Sequence, residues 1–279
     1  MQPTDKFVGF VDIMGFKSLV RTAEAGKGLS LEDLSKAVEA LGTEADLQCI
    51  KTYGPKICPM APRVPKDLDF QITRSSDCVI VSAEVSPAGV INLISHCWTA
   101  QLELLGMGIL CRGYIKRGLI YHTKLHQIGS GLSNAVEREK QVSVFKQNAD
   151  EQGTPFIEVS PEIVEYVATQ GDKCVKEMFS RHVQQDGLLT ALFPFKRLNH
   201  SFAIPAGHQF DPEKEKKSVD VVRGWIRKMK DAVSKRVDQS DPKAVNKGSH
   251  YLRMLDKQLA ECDWTEEVID RLARPLFRS

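Results

Sequence analysis

Phe7-Val8-Gly9-Phe10-Val11-Asp12-Ile13-Met14-Gly15-Phe16 is an apolar run that places an aspartate near its end and a glycine three residues later. The apolar residues predict a strand over 7–12, and the segment after Gly15 predicts a helix over 15–25. Asp12 is thereby delivered to a strand end. A second apolar stretch, residues 70–83, is broken at Ser75-Ser76-Asp77 and reads as a hairpin with an acidic residue at its turn. Two carboxylates on two strand ends suggest a hard cation such as Mg²⁺, which takes carboxylate oxygens and leaves places for phosphate oxygens and water. Strand-end aspartates also serve as turn formers and helix caps, so the pair alone does not decide the chemistry. Where the chain turns into a helix at Ile13, Met14, Gly15 and Phe16, unpaired backbone N–H groups and the positive end of the helix dipole can hold a triphosphate.

Working outward, residues 31–41 form a predicted helix with Ser30 as its cap and Asp33 three residues on. Residues 46–66 contain Gly54, Pro55, Pro59, Pro62 and Pro65 and read as a long loop. Pro87 opens a helix over 90–105 whose Val90, Ile91, Ile94, Trp98, Leu102 and Leu105 make an apolar stripe, ended by Gly106 and Gly108. A strand over 109–122 carries Arg112, Lys116 and Arg117. Gly129-Ser130-Gly131 leads into a helix over 132–145, residues 156–159 form a strand, and Ser160-Pro161 starts a capped helix to 169. Late strands are expected over 188–198 and 201–204. The order is that of an α+β fold of ferredoxin-like type, with helices on a mainly antiparallel sheet. The charged, helix-forming stretches 211–237 and 249–261 form a C-terminal helical appendage. The expected division is a domain over 1–205 and an extension over 206–279.

The chain of 279 residues, 42% hydrophobic and 27% charged, is long enough to bury a sizeable core. No apolar run approaches the roughly 18 to 20 residues that span a bilayer, and Met1-Gln2-Pro3-Thr4-Asp5 lacks a signal-peptide layout, so a cytoplasmic protein without membrane insertion is expected. The 7 cysteines are scattered and include no Cys-x-x-Cys pair, which predicts free thiols rather than a disulfide framework or a zinc site. A net charge of +2 is too small to imply nucleic acid, and the basic residues of 214–217 and 223–235 read as a solvated helix face.

With these residues in view, Phe10-Val11-Asp12-Ile13-Met14-Gly15-Phe16 resembles the first metal motif of class III nucleotidyl cyclases, Phe-x-Asp-Ile-x-Gly-Phe, and Ser76-Asp77 resembles their second metal aspartate. Arg112-Gly113-Tyr114-Ile115-Lys116-Arg117-Gly118 is similar to the Arg-x-Gly-Ile-x-x-Gly strand that follows, with the glycine and tyrosine exchanged by one place. Residues 129–139 fall where the family has its Gly-x-x-Val-Asn-x-Ala-x-Arg-x-Glu helix. Order and spacing agree over residues 5–205. The resemblance implies a class III cyclase fold, with Asp12, Asp77 and the Ile13 carbonyl holding two Mg²⁺ or Mn²⁺ ions. It also implies a nucleoside triphosphate substrate and a homodimer with sites at its interface.

The departures from the family pattern are specific. Ser133 occupies the asparagine position and Glu137 that of the transition-state arginine; Arg138, beside it, is the candidate for the missing charge. Thr73, four residues before Asp77, stands at the base-selecting position, with His126 as its partner, and neither matches a purine pattern. The shortened helix Gly129-Ser130-Gly131 with Ala135 and Glu139 resembles that of the bacterial antiphage Pycsar cyclases, which make cyclic pyrimidine nucleotides for a separate effector protein. That implies UTP, then CTP, as substrate. Lys116 and Arg117 are candidates for the triphosphate, though adjacent strand residues face opposite sides and only one of the two can look into a site, and Arg112 is either a further phosphate contact or a buried ion-pair partner.

Overall fold

Around the strand that carries Asp12, the computed structural model describes residues 2–56, 67–197 and 210–274. Two compact units are present, Met1–Pro194 and Phe195–Ser279; the expected boundary at 205/206 lies outside the described residues. In the first unit the elements follow in the order β1 (Thr4–Ile13), α1 (Phe16–Glu24), α2 (Leu31–Ala40), α3 (Glu44–Tyr53), β2 (Phe70–Ser75), β3 (Cys78–Glu84) and α4 (Pro87–Gly106). Then come β4 (Cys111–His122), β5 (Gln127–Ile128), α5 (Ser130–Glu139), β6 (Ile157–Val159), α6 (Pro161–Thr169), α7 (Lys173–Ser180), β7 (Val183–Asp186) and β8 (Leu189–Leu192). The fold is α+β.

The sheet has the order β2-β3-β1-β4-β6-β8-β7, with β5 paired to β4. β1 is antiparallel to both β3 and β4, and β2 to β3. These four strands with the intervening helices make the ferredoxin-like arrangement expected from the sequence. β4 and β6 are parallel, the single parallel pair among these ladders, and β6–β8–β7 extend the sheet in antiparallel fashion.

Register decides which side chains share a face. Asp12 lies opposite Cys78 and Arg112, Phe10 opposite Ile80 and Tyr114, and Val8 opposite Ser82 and Lys116. Directly opposed residues point the same way. The other face presents Phe7, Val11, Ile13, Val79, Val81 and Ile115, which are buried with Val90, Ile91, Leu93 and Ile94 of α4 in the main core. α5 packs instead on the Asp12 face, over β1 and β4, with Leu132 against Val8, Ile80 and Ile120. The approach is close because it is made of glycine backbone: a Cβ on Gly118 would come 2.8 Å from the Gly131 Cα, and one on Gly129 2.2 Å from the Leu119 carbonyl oxygen. The glycines around 129–131 therefore seat the helix on the strand.

Local chemistry accounts for most boundaries. Ser30 Oγ accepts the Asp33 N–H at 3.0 Å and the Asp33 carboxylate accepts the Ser30 N–H at 3.2 Å, a reciprocal cap for α2. Ser86 Oγ accepts the Gly89 N–H at 3.0 Å, with Pro87 opening α4.

Several expectations are corrected. Residues 44–53 form helix α3 rather than loop, begun by Thr43, whose N–H donates to Asp46 at 2.6 Å; the chain-breaking prolines come later. α5 ends at Glu139 and not at Phe145, which has a left-handed φ of 55°. The late strand stops at Leu192 and gives way to a 3₁₀ turn, Pro194–Arg197. Residues 201–204 lie outside the described ones. Ser160 does not cap α6: its hydroxyl is buried without a partner among the described residues, and its N–H donates to the Ile115 carbonyl at 2.8 Å. Cys174 is disulfide-bonded, against the expectation of free thiols, because spacing along a chain says little about proximity in the fold. Cys49, Cys78, Cys97, Cys111 and Cys262 are free.

The second unit contains α8 (Pro212–Arg236) and α9 (Pro242–Ala273), the latter longer at both ends than the sequence pattern suggests; Asp241 caps its start, accepting the Lys243 N–H at 2.9 Å. Val219, Ile226 and Val233 recur every seven residues on α8, as do Leu255, Cys262 and Ile269 on α9, and all six are buried. Ion pairs repeat at the same interval: Lys216 with Asp270 at 2.6 Å, Arg223 with Glu266 at 2.6 Å and Asp263 at 3.3 Å, and Lys230 with Asp256. No helix among the described residues is long and apolar enough to cross a membrane.

Candidate active site

β1 delivers Asp12 to one end of the sheet, and the β2–β3 turn brings Asp77 beside it. Ser76 takes a left-handed conformation there (φ 56°), and the Ile13 N–H donates to the Asp77 carbonyl at 2.9 Å, tying turn to strand. The reciprocal bond, Asp77 N–H to the Ile13 carbonyl, is not formed among the described residues, which leaves that oxygen open. Both aspartates are half-buried.

The electrostatics show crowding of negative charge. The Asp12 carboxyl is pushed up to about 6, first by burial and then by Asp77 and Glu139, with Arg112 pulling the other way. The neighbouring Cys78 thiol reports the same field: burial, then Asp12, Asp77 and Glu139, push it up to about 11. Two carboxylates and an open carbonyl oxygen suit a hard divalent ion that keeps part of its shell for water and phosphate. Among the described residues no group of three or more His, Cys, Asp or Glu side chains is placed to enclose a metal by itself.

Beyond Ile13 the backbone turns through Gly15, at φ 70°, into α1. Among the described residues nothing lies within 4 Å of where a Gly15 Cβ would stand, so the turn is open there. The Met14 N–H, like that of Ile13, is taken, donating to the Leu110 carbonyl at 2.9 Å. Among the described residues the N–H groups of Gly15, Phe16 and Lys17 donate no backbone hydrogen bond of good geometry, and the last of these was missed from sequence. The Phe16 side chain packs against the core.

The candidate cations are placed unequally. Arg112, directly opposite Asp12, is held by Glu139 through Nε at 2.5 Å and by the Gly153 carbonyl at 3.4 Å. Glu139 is buried and was read from sequence only as a motif position; a buried carboxylate 27 residues from an arginine announces no pairing. Lys116 shares the Asp12 face, four residues further along the strand. Arg117 faces the opposite side and bonds Asp5 at 2.6 Å, so it does not converge with Asp12. Arg138, on α5, is exposed, with its guanidinium 5.5 Å from the centre of the Tyr114 ring.

At the proposed base-reading end, Thr73 Oγ1 contacts His122 Nε2 at 3.0 Å. His126 is exposed in the β4–β5 turn, where its backbone bonds Thr123. The histidine beside Thr73 is thus His122, not His126: β5 folds back on β4 and carries His126 past the strand end.

No protein-family model and no curated protein match the chain. Among solved structures it is similar to the crystal structure of the catalytic core of a rhodopsin-guanylyl cyclase with converted specificity in complex with ATPalphaS. The identity is 12% over 61% of this chain and 84% of that one, with a TM-score of 0.33. A likeness that slight supports neither family nor activity, and the fold rests on the strand order and register above.

Proposed function

We propose that the chain is a nucleotidyl cyclase, converting a nucleoside triphosphate to a 3′,5′-cyclic nucleotide and pyrophosphate. The observation that carries this reading is the pairing of Asp12 and Asp77 at adjacent strand ends beside the open Gly15 turn. Carboxylates gather there with no free cation next to them among the described residues, and backbone donors for phosphate begin two residues on. Asp12, Asp77 and the Ile13 carbonyl would hold Mg²⁺ or Mn²⁺, which when bound supplies charge neutralisation for the triphosphate and acidifies the ribose 3′-hydroxyl. The N–H groups of Gly15, Phe16 and Lys17 bind and orient the phosphates. In-line attack by the 3′-oxygen on the α-phosphorus is intramolecular, so orientation of the ribose supplies much of the acceleration. Arg138 is assigned to the charge that develops on the transferring phosphoryl group; Lys116, opposite Val8 with its Cε beside Gly118, lies on the far side of Asp12 from the Gly15 turn and is given no phosphate contact.

Thr73 at the base-selecting position and the shortened helix of Gly129, Gly131, Ala135 and Glu139 favour a pyrimidine substrate, UTP before CTP, and hence a signal read by a separate effector, as in the antiphage cyclases that the sequence resembles. Incubation of the pure protein with each of the four ribonucleoside triphosphates and Mn²⁺ tests this, with cyclic UMP as the expected product. Absence of cyclic product from all four would exclude the cyclase reading. A second reading, a cyclase-like fold that binds nucleotide without turnover, is favoured by the lock of Arg112 on Glu139 and by Glu137 in place of an arginine. It predicts metal-dependent triphosphate binding by calorimetry with no product.

A further inference from the structure

On the sheet face that carries Asp12, four polar side chains from four strands form one hydrogen-bonded chain. Ser82 Oγ on β3 lies 2.8 Å from His122 Nδ1 on β4, and His122 Nε2 lies 3.0 Å from Thr73 Oγ1 on β2. Gln127 Nε2 on β5 donates to Thr73 Oγ1 at 3.4 Å and to the Thr123 carbonyl at 3.0 Å. Ser82 is 0% and His122 6% exposed. Burial, then the charge of Lys6, drive the imidazole down to about 4, so it is neutral near pH 7 and carries a single N–H.

The directions of these bonds can be deduced. Among the described residues the Ser82 hydroxyl bonds only His122 Nδ1. A fully buried hydroxyl that failed to donate would cost about 1–3 kcal/mol, so Ser82 donates and Nδ1 accepts. The imidazole proton is then on Nε2 and is donated to Thr73. The Gln127 amide is oriented by the Thr123 carbonyl, which can only accept, so its NH₂ also points at Thr73. With two donors on its oxygen, the Thr73 hydroxyl must send its own hydrogen elsewhere. Thr73 lines a cavity of about 600 Å³, together with Gly42, Thr43, Arg74, Ser76 and Lys124.

We propose that Ser82, His122 and Gln127 are positioning residues that lock the Thr73 hydroxyl as a hydrogen-bond donor, and that this lock selects a keto base over an amino base. The inference rests on the cyclase reading, with Thr73 at the base. A locked donor pairs with the 4-oxo group of uracil or the 6-oxo group of guanine, and leaves a donor facing a donor at the amino group of cytosine or adenine. A buried donor left unpaired corresponds to roughly 10- to 100-fold discrimination.

The test is the ratio of kcat/KM for UTP over CTP, and for GTP over ATP, in the wild type, Thr73→Val, Ser82→Ala and His122→Gln. Wild type is expected to favour the keto partner at least 10-fold. Thr73→Val removes the donor, and Ser82→Ala frees the imidazole to change tautomer, so both should collapse the ratio, chiefly by improving the amino substrate. A loss of activity equal for both substrates would show a structural role and overturn the proposal, as would a wild type that prefers CTP to UTP. The ¹⁵N shifts of the His122 ring at pH 7 read the lock independently of turnover. An Nε2–H imidazole supports it, and an Nδ1–H or doubly protonated ring overturns it even if the enzyme cyclises. If no triphosphate is cyclised, the cyclase reading falls, and these shifts with competitive binding of UTP against CTP still decide the lock.

Discussion

Asp12 stores unfavourable charge in the metal-free protein. Its carboxyl titrates near 6 in the fold against 3.8 as the ordinary value. Between those limits the folded state holds more protons than the unfolded one, so this group makes stability fall as pH rises through the window and level off above it. Asp12→Asn removes the penalty. We expect the variant to be the more stable by about 1 kcal/mol above pH 6.5, a figure reduced for the partial exposure of the group, with the difference vanishing below pH 4. Melting curves in chelator from pH 4 to 8 measure it. The same substitution should cost at least about 100-fold in cyclisation and abolish the rise in Tm that Mn²⁺ gives the wild type. A variant less stable than wild type at pH 8 would contradict the crowding of Asp12 by Asp77 and Glu139.

The Arg112–Glu139 pair works the other way. Their side chains are 21% and 4% exposed, so Arg112→Ala leaves a buried carboxylate without its cation and should cost about 3 kcal/mol, whereas Arg112→Met with Glu139→Leu should recover most of it. Denaturant titrations of the single and double variants separate these outcomes. Arg112 was legible in the sequence as a motif residue, but the partner that occupies it was not, because pairing depends on α5 folding back over β4. Lys116 and Arg117 show a related limit. Strand alternation guarantees that they face opposite sides; only the register, Val8 against Lys116 and Phe7 against Arg117, says which side holds Asp12.

At the level of elements, β1 could be read because its apolar residues are contiguous and end in Asp12, and α4 because its stripe repeats at helical spacing. β7 could not: Val183-Gln184-Gln185-Asp186 has one apolar residue, and it is a strand because β8 pairs with it at the sheet edge. α3 was hidden by the prolines that follow it. The glycines of 129–131 read from sequence only as the lead into a helix, and in the fold they let α5 lie against β4. Gly118→Ala tests that role, since its Cβ would meet the Gly131 backbone at 2.8 Å. Overpacking of backbone on backbone should cost about 1–3 kcal/mol. It should also lower activity by moving Arg138 and Glu139 together, with α1 and its Gly15 turn unaffected. Thermal melts and hydrogen exchange of α5 amides against those of α1 check the prediction.

At the scale of the whole molecule, one chain supplies the parts of the proposed site unevenly. Beside Asp12 and Asp77 the near cation, Arg112, is bound to Glu139; Arg117 faces away; and Arg138 lies over Tyr114, which sits opposite Phe10, two residues along β1 from Asp12. We propose that the arginine at the aspartates of one chain is brought by a second copy, as in the homodimer that the sequence resemblance implies. Mixing two inactive variants tests this arrangement directly. Asp12→Asn keeps Arg138, and Arg138→Ala keeps Asp12. In a mixed dimer one of the two sites regains both groups while the other loses both. With random exchange half of the dimers are mixed, so about a quarter of the wild-type activity should return. Light scattering should give twice the 31.2 kDa of the chain. If Asp12 and Arg138 of a single chain served the same site, every site in the mixture would lack one of them, and mixing would restore nothing at any ratio.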